Sequence, residues 1–259
     1  MDTDDFIDET LNRPLQIVYQ DENYVAVFKP AGLLVHKSDS TSVHVPVLLQ
    51  ALRDQLQCRV FPVHRLDRPT AGLILFGLNG SAAAKMVDLF TRRMVSKYYQ
   101  ALVCGWAPDA GQIDLPLSAK PEDEWEKTAT RQLDAATQDA TTQFQTLARF
   151  LLPVENALAN PIELSLLEVK PLTGRSHQIR RHLQHIGHPI FGDYRHGNQE
   201  VNRVLLAETG VVRMLLTSMR LDFRHPYTGE LQAITVGRGT LFDQVISKLT
   251  VEPKLEIRA

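Results

Sequence analysis

The 259-residue chain predicts an α+β fold on a largely antiparallel sheet. Three observations carry that expectation. Runs rich in β-branched and aromatic residues alternate with short turn signals. The helical stretches between them are few and show no regular βαβ spacing. The composition, 44% hydrophobic and 22% charged, is that of a globular chain with a sizeable core.

The elements follow in order. Residues 1–13 are polar and acidic and read as a mobile tail. From Ile17, "IVYQDENYVAVFKPAGLLVH" reads strand, turn, strand, turn, with Pro30 and Gly32 at turn positions. Val45 to Leu56 predicts a short helix. "FPVHRLDRPTAGLILFGLN" is apolar, then polar with Pro69 and Gly72, then apolar again, which predicts strand, exposed loop, strand. Ser81 is a candidate cap for a helix with Met86, Leu89, Phe90 and Met94 on its apolar side. Tyr98 to Val103 reads as a strand, and the acidic stretch Asp109 to Asp139 as surface loops. Phe144–Leu147 and Ile162–Val169 predict strands. Ser176 is placed to cap a helix through Ile186, stopped by Gly187 and Pro189. Val211 to Phe223 contains further strand, closed by the turn Pro226–Gly229. One domain over 14–250, of two lobes, with a tail at 251–259, is the simplest organisation.

Composition excludes several classes. No apolar run approaches the roughly 18 residues of a membrane span. The start, Met1-Asp2-Thr3-Asp4-Asp5, is acidic where an export signal is basic. Two cysteines without a CxxC support neither a disulfide framework nor a zinc ribbon, so a cytoplasmic location is expected. There is no GxGxxG, phosphate-loop or GxSxG motif, and no cofactor is expected. His182, His185, His188 and His196 lie close together, but Gly187 and Pro189 break the helix before a third ligand joins the first two. No metal is expected.

The net charge of −2 hides a pattern. Residues 1–12 carry net −5 and residues 109–168 net −7. Residues 50–108 hold eight Lys/Arg against three Asp/Glu, net +5, and residues 169–203 six against two, net +4. Such asymmetry is the mark of a polyanion-binding face, and equally of ordinary fluctuation along a chain.

Each basic block contains a candidate site. In His64-Arg65-Leu66-Asp67-Arg68-Pro69-Thr70 an Asp sits between two Arg, which favours its charged form. Asp67 then serves as nucleophile, general base or surface ion-pair member; spacing does not choose. In Lys170–His182, a helix starting near Ser176 puts His177, Arg180 and Arg181 on one face, with Arg175 just before it. These groups suit an anion, either a phosphate or a carboxylate such as Asp67.

Jointly the motifs are far more specific. "HRLDRPTAGL", with "KPAGLLVH" upstream and "KPLTGRSHQIRRH…GHPIFGD" downstream, closely resembles the RluA family of pseudouridine synthases. The resemblance runs from about Ile17 to Ile234, and includes Asn202-Arg203 and "HPYTGE". It implies a pseudouridine synthase fold, a mixed, mainly antiparallel sheet in two lobes with a central RNA-binding cleft. It also implies a cofactor-free enzyme that isomerises uridine in RNA. Asp67 matches the catalytic aspartate, Tyr99 the active-site tyrosine and Arg180 the arginine paired with the aspartate. Arg65 matches the arginine that enters the stack when the target base flips out. His64, Arg68, Arg175, His177 and Arg181 are the accompanying candidates for substrate binding. The substrate implied is tRNA, at uridine-65 of the T stem, with rRNA as the alternative; a non-catalytic RNA-binding module is the alternative of another class. A monomer is expected. Two departures stand out: Ala71 where the family has Ser, and Thr217-Ser218 where many members have His-Ala.

Overall fold

The computed structural model describes residues 14–36, 47–118, 137–153, 161–211 and 213–251. In chain order these form β1 (Ile17–Gln20), β2 (Tyr24–Lys29), α1 (Leu48–Leu56), β3 (Phe61–Pro62), β4 (Ala71–Gly77), α2 (Gly80–Thr91), β5 (Ser96–Cys104), β6 (Ala110–Asp114), β7 (Leu117–Ser118) and β8 (Thr137–Gln138). They continue as β9 (Thr141–Leu152), β10 (Ile162–Pro171), α3 (Gln178–His185), α4 (Gln199–Thr209), β11 (Leu216–Arg224), β12 (Leu231–Thr235), α5 (Thr240–Ser247) and β13 (Thr250–Val251). Every strand pairing described below except one is antiparallel, as the α+β reading expects. Among the described residues no helix is long and apolar enough to cross a membrane. The expected tails at 1–13 and 251–259 fall outside the described residues apart from Val251.

The chain divides into two compact units: Met1–Tyr99 with Leu216–Gly239, and Gln100–Leu215 with Thr240–Ala259. In the first, β4 pairs antiparallel with β2 and with the short β3, and β2 with β1. β11 adds β12 antiparallel and meets β4 in parallel through Thr217↔Ala71 and Ser218↔Gly72. All seven residues of β4 are buried, which its unbroken apolar run anticipates. Leu73 and Leu75 share a core with Tyr24, Met86 of α2, Leu221, Phe223 and Ile234.

In the second unit β9 is central, paired antiparallel with β10 over ten positions, and with β6 and β13. Leu102, Phe150, Leu164, Phe191, Leu205, Phe242 and Val245 pack as its core. Cys104 is partly covered, and burial pushes its thiol up to about 12, whereas Cys58, just past α1, is exposed.

Several expectations needed correction. α2 is capped by Asn79, two residues before Ser81; the Asn79 side chain accepts from Ala82 N at 2.8 Å. Met94 lies beyond the end of α2 and is exposed. The acidic stretch contains β6, β7 and β8; residues 119–136 lie outside the described region. α3 starts at Gln178 with His177, at a left-handed φ of 51°, in the cap position expected of Ser176. The predicted helix from Val45 begins at Leu48, and Val45 itself is outside the described residues.

Gly72 has φ +106°, and a Cβ there would lie 2.2 Å from the Ser218 carbonyl oxygen. Its bareness lets β4 and β11 meet where the HRLD loop re-enters the sheet. Gly72→Ala is expected to destabilise the protein by more than about 2 kcal/mol in urea denaturation. Gly187→Ala, also at positive φ but with nothing within 4 Å, is expected to cost only about 1 kcal/mol.

Candidate active site

In the first unit the HRLD loop is a fastened structure. Lys29, fully buried at the end of β2, donates from Nζ to the carbonyls of Pro30 (2.9 Å), Leu33 (2.8 Å) and Arg68 (3.0 Å). One ammonium thus joins the KPAGL turn to the loop, each N–H meeting an oxygen. Arg68 completes the clasp: Gly32 N donates to its carbonyl at 2.8 Å, and its own Nε donates to Gly32 O at 2.9 Å. Thr70 N donates to Asp67 O at 3.1 Å, closing a turn around Arg68-Pro69.

His64 anchors the loop from the other side. The β3 ladder ends at Pro62, and the His64 ring takes the next free amide of β4, accepting from Leu75 N at Nε2, 3.0 Å. Only a neutral imidazole accepts there. The ring stacks on Phe90 at 4.6 Å. Burial, and then the nearby charge of Lys97, push its pKa down to about 3. Lys97 is itself lowered to about 8 by burial and by Arg93. His64 and Arg68, expected beside substrate, are therefore engaged in holding the loop, and Arg65 is the exposed member.

Asp67 is partly exposed, and Tyr99, at the end of this unit, is 8% exposed. Burial first, and the charge of Asp67 second, hold the Tyr99 phenol well above its ordinary range. Tyr99 thus stays a protonated phenol within electrostatic reach of the carboxylate. The departures are accommodated here: Ala71 is buried in β4, and Thr217 Oγ1 donates to the Arg238 carbonyl at 3.2 Å.

In the second unit Gln178 organises the start of α3. Its Oε1 accepts from the Thr173 hydroxyl (2.6 Å) and Arg175 N (3.0 Å), and its Nε2 donates to Thr141 O and Thr142 Oγ1, both 2.9 Å. Arg175 Nε donates to Asp139 O at 3.0 Å. Arg181 donates to Ser118 through O (3.3 Å) and Oγ (3.0 Å). His182 places its ring nitrogens 2.9 Å from Thr142 Oγ1 and 3.0 Å from Leu115 O, and burial lowers its pKa. His177 Nδ1 lies 3.0 Å from His196 Nε2, one ring donating to the other.

Arg180 is buried with Asp193. Nε donates to Oδ2 at 2.7 Å and Nη2 to Oδ1 at 2.8 Å, a bidentate fork. Burial alone would raise the Asp193 pKa, but the bonds from Arg180 and from the amides of His196 and Arg195 outweigh it and hold it low. Arg180 and Arg181 thus take separate partners, and the shared face expected with His177 is not formed, because His177 stands outside the helix. Sequence spacing passed over Lys29, Asp193 and Asn202 as contributors. All three stand in quoted motifs without a role of their own.

Residues 23–185 match the RNA pseudouridylate synthase family. The chain is 39% identical over 234 residues to tRNA pseudouridine synthase C of Vibrio vulnificus, covering 90% of this chain and 95% of that one. It is 41% identical over 223 residues to the protein of the same name from Pasteurella multocida, covering 86% and 91%. The chain belongs to the RNA pseudouridylate synthase family, and is an isomerase of that class. The resemblance read from the motifs is thereby met. In fold it is similar to human RNA Pseudouridylate Synthase Domain Containing 1, at TM-score 0.70 and 24% identity over 92% of this chain and 88% of that one. The human Domain Containing 4 protein gives TM-score 0.68 at 24% identity, over 95% and 97%.

His64 has a testable consequence. Its folded pKa lies below its unfolded value near 6.5, so the unfolded chain takes up the proton first. Stability is full above about pH 6.5 and falls as pH drops towards 3, at up to about 1.4 kcal/mol per pH unit. Urea midpoints at pH 7, 6 and 5 are expected to fall, and His64→Gln to flatten the slope by about that amount; an unaltered slope would show the ring to be freely protonated.

Proposed function

We propose that this chain converts uridine to pseudouridine in tRNA, at uridine-65 of the T stem. Two named relatives near 40% identity that align over almost their whole length support tRNA as the substrate. The observation that carries the mechanism is the fastened HRLD loop, with Asp67 beside a phenol that remains protonated.

The target base leaves its stack at a cost of a few kcal/mol, and Arg65, exposed on a rigid loop, fills the vacated space and meets phosphate. The Tyr99 ring offers a flat face to uracil and its hydroxyl a hydrogen-bond donor. The Asp67 carboxylate attacks the ribose C1′ or the uracil C6. The C1′–N1 bond breaks, the base turns, and a C1′–C5 bond forms. The proton leaves C5 for solvent, N1 gains one, and Asp67 is released unchanged. Arg180, held in one orientation by Asp193, supplies a fixed positive charge to the reaction. The reaction is an isomerisation without net redox or hydrolysis and draws on no cofactor. A cytoplasmic location belongs to the same reading.

Asp67→Asn is expected to reduce tritium release from [5-³H]uridine tRNA by at least ~10³-fold, about 4 kcal/mol in the barrier, with tRNA binding retained. Normal turnover by the variant defeats the assignment. Arg65→Gln is expected to weaken tRNA binding and lower the slope of log K against log salt by about 0.7–0.9. Pseudouridine mapping in a strain lacking the gene is expected to show position 65 of tRNA unmodified. A lost rRNA site with intact tRNA would instead select the rRNA alternative.

A further inference from the structure

We infer that Asp193 and Asn202 are positioning residues that set the Arg180 guanidinium for catalysis. The inference rests on the reading of Arg180 as the cation of the active site. Asp193 engages the Nε–Nη2 edge of Arg180 and so fixes the plane of the guanidinium as well as its position. The same carboxylate is held in turn: its Oδ1 also accepts from Arg195 N and His196 N, both at 3.0 Å. Asn202 locks the backbone on which it rides. Its Oδ1 accepts from Gly192 N at 2.8 Å and its Nδ2 donates to Asp193 O at 2.9 Å, and the side chain is wholly buried on α4.

The turn has no slack on either side. A Cβ on Gly192 would lie 2.0 Å from Arg213 O, and one on Gly197 2.0 Å from Asp193 O. Six bonds therefore run from α4 through one turn to one arginine. A buried ion pair is a weak device for stability alone, since an apolar pair of the same volume does as well. Its distinctive property is geometric: a charge is held in one orientation before substrate arrives, which is what electrostatic catalysis requires.

The test is single-turnover and steady-state kinetics on tRNA with Asn202→Ala, Asn202→Asp and Asp193→Glu, alongside thermal melts. Asn202→Asp keeps the acceptor for Gly192 N and loses the donor to Asp193 O. Asp193→Glu keeps the charge but moves the carboxylate by one methylene. In variants folded at the assay temperature, kcat is expected to fall by about tenfold or more with KM within about twofold. A folded Asn202 variant with wild-type kcat overturns the inference, as does a loss confined to KM. Wild-type kcat in Asp193→Glu overturns it too, because neutralisation without geometry would then suffice. Arg180→Lys separates the two levels: if it keeps full kcat, the reading of Arg180 falls, whatever the Asn202 variants show.

Discussion

A single buried ammonium underlies the HRLD loop. Lys29 has no exposed surface, and its Nζ is surrounded by three backbone carbonyls drawn from two separate segments. Burying a charge is costly unless it is well coordinated, and carbonyl dipoles at hydrogen-bond distance provide that. The arrangement works in one geometry only: the KPAGL turn and the HRLD loop must both be in place for the third bond to form. The loop that carries Asp67 is thus tied to the folding of β2 and β4, and its conformation does not wait for substrate.

The second unit uses the opposite polarity for the same purpose. There the group to be held is a cation, and the holder is a carboxylate whose spare lone pairs accept backbone amides. In both cases main-chain dipoles meet a charged side chain: three carbonyls at Lys29, and two amides at Asp193 beside its two bonds from Arg180. Side-chain rotamer freedom is removed before the reaction begins, so less order has to be imposed on the enzyme when RNA binds.

Much of this was legible in the sequence, and the division follows physical lines. The strand–loop–strand around Asp67 shows because apolar runs of strand length flank Pro69 and Gly72. β9 and β10 show in part, since their apolar centres read as strands while their polar ends do not. Asp193 as a partner of Arg180 was hidden: helical spacing says which residues share a face, not which later turn folds back, and Asp193 comes only after Gly187 and Pro189. α4 and α5 were passed over, although Asn198 before Glu200 and Gly210 at the end of α4 are ordinary cap signals. His64 misled in a different way. A histidine beside two arginines reads as a contact for anions, and only the end of the β3 ladder reveals that an amide needed an acceptor.

The two cysteines leave the molecule with a convenient asymmetry. Cys104 keeps its proton through the whole neutral range, so its sulfur is a poor nucleophile, while Cys58 stands open to solvent just after α1. A thiol-directed fluorophore at neutral pH will therefore settle on one position of the wild-type chain. That position is in the unit that carries Asp67 and takes no part in the hydrogen bonds described above that fasten its loop, which makes it a ready-made vantage point for watching the enzyme meet RNA.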